Sequence, residues 1–517
     1  MAQLKSFFQK QPILLSILTA ISLYIFVHAY FFGYFISWDS THYLRAAQSI
    51  VNGGGMFTHP SWSHFYGEGY FAIWPIGYPL LIALVSFLTR TEVYLASVIL
   101  AVLLVWAIGL LFAKYFGQKA WLYSLVMLNV GFLRIFYFTW SETVYIFALI
   151  LLSFTVANIL LSKAVGKRNF VLLTFSAILL FLSRYVGAFS IGVIGLLWLF
   201  YGYLSLKTKD RVAKGKLLFS TISGIFSACF MLGYLLLNRH MTGFITGSPN
   251  HPRDPFGETL LNLYEASLIE VEYVFAHFFN ISPLGLSLPI LILAFSFVCY
   301  ALFRHRQQIK AYHPDIIVPL AFLAIGSISW LSIVAMRFLS RFDPFNFRLL
   351  GPSTIVLCIG ILGLLLFSFY QKFPHKKDKT PSPLKKAVLT VFFALFLFSS
   401  LIPTLTQESP SGYPQMREEV LHLHAHIPDG AAVVWGNPYL LFLRDDLAFT
   451  FDLPMRLPAN MGVEGFFHYH ENFSAIFLCL RGMRNHLDNT FPHNEEMQAF
   501  FRQFWYREEA FIEIYPS

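Results

Sequence analysis

Ser37-Trp38-Asp39-Ser40-Thr41-His42-Tyr43-Leu44 stands directly behind the first apolar run of the chain, residues 12–36. A carboxylate placed where an apolar segment ends is in a position to act at a membrane surface. The composition supports such a surface: the 517 residues are 56% hydrophobic, 18% aromatic and only 13% charged. Several runs exceed the ~18 apolar residues of a spanning candidate, so the chain reads as a polytopic membrane protein. The first run is too long for the core of a signal peptide and lacks a small-x-small cleavage site. It therefore reads as a retained span. Cys229, Cys299, Cys358 and Cys479 lie far apart and give neither a metal spacing nor a disulfide framework.

Apolar runs fall at about 12–36, 73–89, 93–113, 120–138, 143–162, 169–183, 186–204, 217–237, 284–303, 315–336, 349–371 and 387–404. Between them lie basic connectors: Lys114 and Lys119, then Lys163 to Arg168, Lys207 to Lys216, Arg304 to Lys310 and Lys372 to Lys386. The positive-inside rule puts all of them on the cytoplasmic side, with Lys5 and Lys10. That is possible only if one run fails to cross. The run 73–89 is short and carries two prolines and a glycine near its start, as suits a helix lying in or re-entering the interface. Without it about eleven spans remain, with a cytoplasmic N-terminus, an extracytoplasmic C-terminus and all 17 lysines inside. The net charge of +9 is thus an outcome of topology rather than a sign of nucleic acid.

The fold class expected is an all-α polytopic membrane protein with a small C-terminal α/β extracytoplasmic domain. Residues 1–404 form the membrane domain, with outer loops at 37–92, which carries juxtamembrane helices, at 238–283 and at 337–348. Residues 405–517 form the second domain, where the composition shifts to Asp, Glu, His and Asn. There, 413–426 and 494–506 look helical, and 431–435, 475–480 and 510–515 look like strands.

The outer face collects the candidate residues. Asp39 opens a helix that stops at Gly53-Gly54-Gly55. It can be a general base, or only the N-cap of that helix. Glu142, at the start of the fifth run, can serve the same cavity or merely favour its helix N-terminus. Arg184, Arg337, Arg341 and Arg348 lie on the face that lacks lysines. They suit a phosphate, by paired donors, or they snorkel, or pair with Asp343. His42, Tyr43, Trp74 and Tyr78 are substrate-binding candidates, against the alternative of an interfacial aromatic belt. His59, His64 and Glu68 are weak ligand candidates for a possible divalent cation, their spacing matching no tight metal motif. Asp254, Glu258, Glu265, Glu270 and Glu272 read mostly as a solvated acidic face.

The order of five motifs resembles the GT-C membrane glycosyltransferases, above all bacterial protein O-mannosyltransferases and lipid A aminoarabinose transferases. Trp38-Asp39-Ser40-Thr41-His42-Tyr43-Leu44-Arg45-Ala46-Ala47 is similar to the first-loop acidic motif and its juxtamembrane helix. Trp74-Pro75-Ile76-Gly77-Tyr78-Pro79-Leu80-Leu81 is similar to the second juxtamembrane element. Ser141-Glu142-Thr143, Leu182-Ser183-Arg184-Tyr185-Val186-Gly187 and Arg348-Leu349-Leu350-Gly351-Pro352 are similar to later signatures. The resemblance covers about residues 1–370. It implies the GT-C fold, a polyprenyl-phosphate-linked sugar donor, inverting transfer with Asp39 as base, a lipid, glycan or protein acceptor at the outer face, and a place in the bacterial inner membrane. Two positions depart from the pattern: Ser40 follows Asp39 where many relatives have a second acid, and Ile73-Trp74-Pro75 replaces a Glu-Lys-Pro element.

Two other classes stay open, a non-catalytic lipid or glycan transporter on the same scaffold and a scaffold whose tail binds a partner. Transporters place ionisable groups near the membrane midplane, whereas here they gather at one face. No glycine-rich nucleotide-binding loop occurs, which argues against a cytoplasmic nucleotide-sugar donor.

Overall fold

The structure is a computed structural model. It describes residues 11–30, 36–57, 69–164, 166–247, 253–275, 283–339 and 345–370, and a series of segments between 418 and 515. Its helices are α1 (Pro12–Tyr30), α2 (Trp38–Val51), α3 (Gly77–Thr89), α4 (Val93–Phe116), α5 (Val130–Tyr137), α6 (Glu142–Leu161), α7 (Lys167–Ser183), α8 (Phe189–Thr208), α9 (Arg211–Thr242), α10 (Phe256–Phe275), α11 (Pro283–Arg304), α12 (Pro314–Leu339) and α13 (Phe347–Tyr370). Among the described residues, seven helical segments are long and apolar enough to cross a membrane. They are Pro12–Ala29, Val93–Leu128, Glu142–Leu161, Tyr185–Thr208, Arg211–Thr242, Pro314–Leu339 and Phe347–Ser368.

The count of about eleven is not reached among these residues, for identifiable reasons. The expected run 120–138 is not one helix. It is divided into Ala120–Ser124, a 3-10 turn Leu125–Leu128, and α5. Asn129 takes an extended conformation between them and its side chain accepts from the Gly131 amide at 2.8 Å, starting a new helix. An apolar average does not register such a cap. The run 387–404 and the connector 372–386 lie outside the described residues. Helix α7 has 17 residues and α11 contributes only the shorter apolar stretch Leu291–Arg304. Helix α3, left out of the eleven from the start, has 13 residues, about 20 Å of helix against an apolar core of about 30 Å.

Helix α6 is the axis of the bundle, with most of its side chains buried. Tyr145 Oη lies 3.0 Å from Ser329 Oγ of α12, and Ser353 of α13 donates to the same oxygen at 2.8 Å. Helices α12 and α13 pack at close range because glycines leave room. A Cβ on Gly360 would lie 2.8 Å from Leu323, and one on Gly363 would lie 2.5 Å from Pro319. This antiparallel pair brings the end of α12 and the start of α13 to the end of the bundle where α6 begins.

Beyond the bundle is a four-stranded sheet of β1 (Ala432–Val434), β2 (Ala448–Phe449), β3 (Ile476–Cys479) and β4 (Phe511–Glu513), in the order β2-β1-β3-β4. β1 runs parallel to β2 and β3, and β4 is antiparallel to β3. Three of these strands fall in the expected stretches; β2 does not. The period of two along β1 divides its residues. Val433 joins the core that is continuous with the membrane helices, and Val434 joins a second core with Phe466, Leu478 and Phe501. Arg45 of α2 donates to the Arg444 carbonyl at 2.8 Å, so the tail is seated on the helix that carries Asp39.

Candidate functional site

The N-cap of α2 is Ser37, not Asp39: its Oγ accepts from the Ser40 amide at 3.3 Å and lies 3.0 Å from Ser40 Oγ. The reading of Asp39 as a cap is thereby corrected. The serine one residue before the helix meets the orphan amide, and Asp39, in the first turn, keeps its carboxylate for another partner. That partner is Arg348, in the first turn of α13, whose Nη2 lies 2.5 Å from Asp39 Oδ2 and 3.2 Å from Glu142 Oε1.

Glu142 is wholly buried at the start of α6 and also pairs with Arg184 at the end of α7. Four helices thus meet in one cluster of two carboxylates and two guanidiniums with no net charge. Asp39, Arg184 and Arg348 each keep about a fifth of their side-chain surface exposed (21%, 20% and 22%), while Glu142 keeps none. Glu142 is the floor of the site and the other three form its mouth.

Two residues outside the expected set hold this arrangement in place. The Trp140 ring lies 4.2 Å from the Arg348 guanidinium, a cation–π contact. Its indole Nε1 donates to Ser37 Oγ at 2.8 Å. Below Glu142, Ser141 Oγ donates to Oε2 at 3.4 Å and lies 3.0 Å from Tyr43 Oη. Burial raises the Tyr43 phenol far above its ordinary range, with Glu142 and Asp39 adding to the shift, so Tyr43 acts as a neutral hydrogen-bonding group. A Trp just before a span reads as interfacial belt, and a serine before an acid reads as a cap. Neither signal marks a site without the fold.

The remaining expected residues fall in three groups. His42, Tyr43, Trp74 and Tyr78 come together as an aromatic wall, with ring centroids 4.6 Å apart for His42–Trp74 and 5.2 Å for Tyr43–Tyr78. Arg337 is buried and pairs with Asp254 near the start of α10, not with the Asp39 cluster. Arg341 and Asp343, and the cation candidates His59, His64 and Glu68, lie outside the described residues. Among the described residues no group of three His, Cys, Asp or Glu is placed to hold a metal ion. The solvated acidic face needs one correction. Glu258 and Glu265 are exposed, but Glu270 is 5% exposed, because the inner face of α10 packs on α13. There the burial of Glu270 pushes its carboxyl up to about 8.

No family model and no curated protein matches the sequence. Solved structures do. An archaeal oligosaccharyltransferase, AglB from Archaeoglobus fulgidus in complex with an inhibitory peptide and a dolichol-phosphate, matches 99% of this chain and 75% of its own. The TM-score is 0.52 and the identity 11%. The Archaeoglobus fulgidus enzyme in complex with Zn and sulfate matches 94% of this chain and 71% of its own, with TM-score 0.53 and 12% identity. ArnT from Cupriavidus metallidurans bound to undecaprenyl phosphate matches 93% of this chain and 95% of its own, at TM-score 0.50 and 12% identity. Both neighbours are GT-C membrane glycosyltransferases, and at such identities the similarity concerns the fold. The chain is a membrane protein with the GT-C fold.

Proposed function

We propose that the protein is an inverting glycosyltransferase that moves a sugar from a polyprenyl-phosphate-linked donor to an acceptor at the outer membrane face. The meeting of Asp39 and Glu142 with Arg184 and Arg348 at one end of a GT-C bundle carries this reading. The neighbours were solved with dolichol-phosphate and undecaprenyl phosphate, ligands of the donor class proposed. The acceptor oxygen attacks the anomeric carbon, the bond from that carbon to the phosphate oxygen breaks, and the acceptor proton passes to Asp39. Polyprenyl phosphate leaves with an added negative charge. Arg184 and Arg348 are placed to stabilise it, since Arg348 spends only Nη2 on the carboxylates. Glu142 fixes both guanidiniums, and the tail, from about residue 405, covers the site or reads the acceptor.

The transporter reading has less support, because the cluster sits at helix ends rather than in mid-span. Mass spectrometry of lipid that copurifies with the protein tests the donor class: a polyprenyl phosphate is expected. The base assignment is tested by Asp39→Asn, which should lower transfer by at least about 10²-fold and leave folding intact. Full activity in that variant sinks it.

A further inference from the structure

We propose that the Arg348 guanidinium is the fixed cation of this site, filling the place between Asp39 and Glu142 that a divalent metal ion would otherwise take. The inference rests on the reading of these two acids as the reacting end of the bundle. Two carboxylates that face one point are also what a divalent cation would seek, and the residues here do not fit one. A single nitrogen, Nη2, reaches both carboxylates, at 2.5 Å and 3.2 Å. Bridging two acids from one point is the task a metal ion performs. Arg184 completes the neutralisation through Glu142, so the four side chains already sum to zero. A divalent ion added there would leave four positive charges facing two negative ones in a half-buried space. Nor is the protein shell complete, and an ion admitted between the acids would draw most of its ligands from water. Hard divalent cations take six or more oxygens, and the described residues offer no third acid, His or Cys beside the pair.

The guanidinium is also held from outside the acid pair. It lies against the Trp140 ring, and that ring is fixed to Ser37, the cap of the Asp39 helix. Displacing Arg348 therefore means giving up that ring contact as well as two ion pairs. An arginine in this position supplies a permanent charge and directional donors to the departing phosphate, and it needs no exchange with solvent ions.

The test is Mn2+ binding to the purified full-length protein in detergent, followed by electron paramagnetic resonance. Arg348→Ala is expected to bind Mn2+ at least about tenfold more tightly than the wild type, a change of about one unit in log Kd. The gain should vanish in the double variant Arg348→Ala/Asp39→Asn. Arg348→Lys, which retains the charge, should bind Mn2+ no more tightly than the wild type. A Mn2+ site in the wild type that Asp39→Asn removes would overturn the proposal. So would wild-type transfer that is lost on chelation and restored by Mn2+. A protein that transfers no sugar from any polyprenyl-phosphate donor counts against the proposed function alone, since the Mn2+ measurement does not depend on turnover.

Discussion

The two ends of helix α6 lie about 30 Å apart and carry charge in different ways. At the C-terminal end, Lys216 of α9 is buried and its ammonium donates to the Ile159 and Ser162 carbonyls, both at 2.7 Å, and to Tyr201 Oη at 3.4 Å. A cation there meets carbonyls that the helix leaves without partners and suits the negative end of its dipole. Every donor is spent on the backbone or a neighbouring phenol. At the N-terminal end the helix has Glu142, which also suits its dipole, but two arginines and a second acid stand around it. That is far more charge than a helix end needs, and part of it is exposed. The lysine end is a finished joint, and the Asp39 end is a joint with capacity left over.

Four substitutions test this contrast. Asp39→Asn should lower the transfer rate by about 10²- to 10⁴-fold, the range for loss of a general base. Its unfolding transition should stay within about 1 kcal/mol of wild type, as measured by chemical denaturation. Lys216→Met should show the reverse: a loss of about 1.5–3 kcal/mol in stability, from carbonyls left without a charged donor, with unchanged turnover per folded molecule. If turnover fell in step, the two ends would not be functionally distinct. Trp140→Phe keeps a ring over Arg348 but loses the bond to Ser37. The transfer rate should drop about fivefold, equivalent to ~1 kcal/mol. A rate equal to wild type would show that the indole only fills space.

The smallest signal is a slope. Glu270 has a carboxyl raised by burial from 4.5 to about 8. It stays protonated in the folded protein while the unfolded chain has already released its proton. Its contribution to stability is therefore full below about pH 4.5 and is lost as pH rises towards 8. Thermal unfolding midpoints should decline over that window in the wild type, and the decline should be shallower in Glu270→Gln. Equal slopes would place Glu270 in contact with water.

Much of the Asp39 end is legible in the sequence, because acids and arginines gather at helix ends on the face that lacks lysines. Position alone singles out Asp39, Glu142, Arg184 and Arg348, and the four side chains meet. What could not be read was pairing across distance. Arg337 looks the equal of Arg348 until Asp254, 83 residues away, takes it. Glu270 looks solvated because its neighbours are acidic, yet only a packed α10 shows which face turns inward. Asn129 interrupts an apolar run by local hydrogen bonding, a feature that averaged hydropathy erases. Trp140 gains its meaning only from what lies above and below its ring.

The bond from Arg45 to the Arg444 carbonyl bears on how the protein can be divided. Arg45 lies six residues along α2 from Asp39, about 9 Å of helix, and it is 8% exposed. A version cut before residue 444 would be smaller and free of the tail, and it would also remove the acceptor that holds this arginine. Trimming the tail therefore reaches a buried arginine on the helix that carries Asp39, and the end point of a shortened chain bears on the site as well as on the sheet.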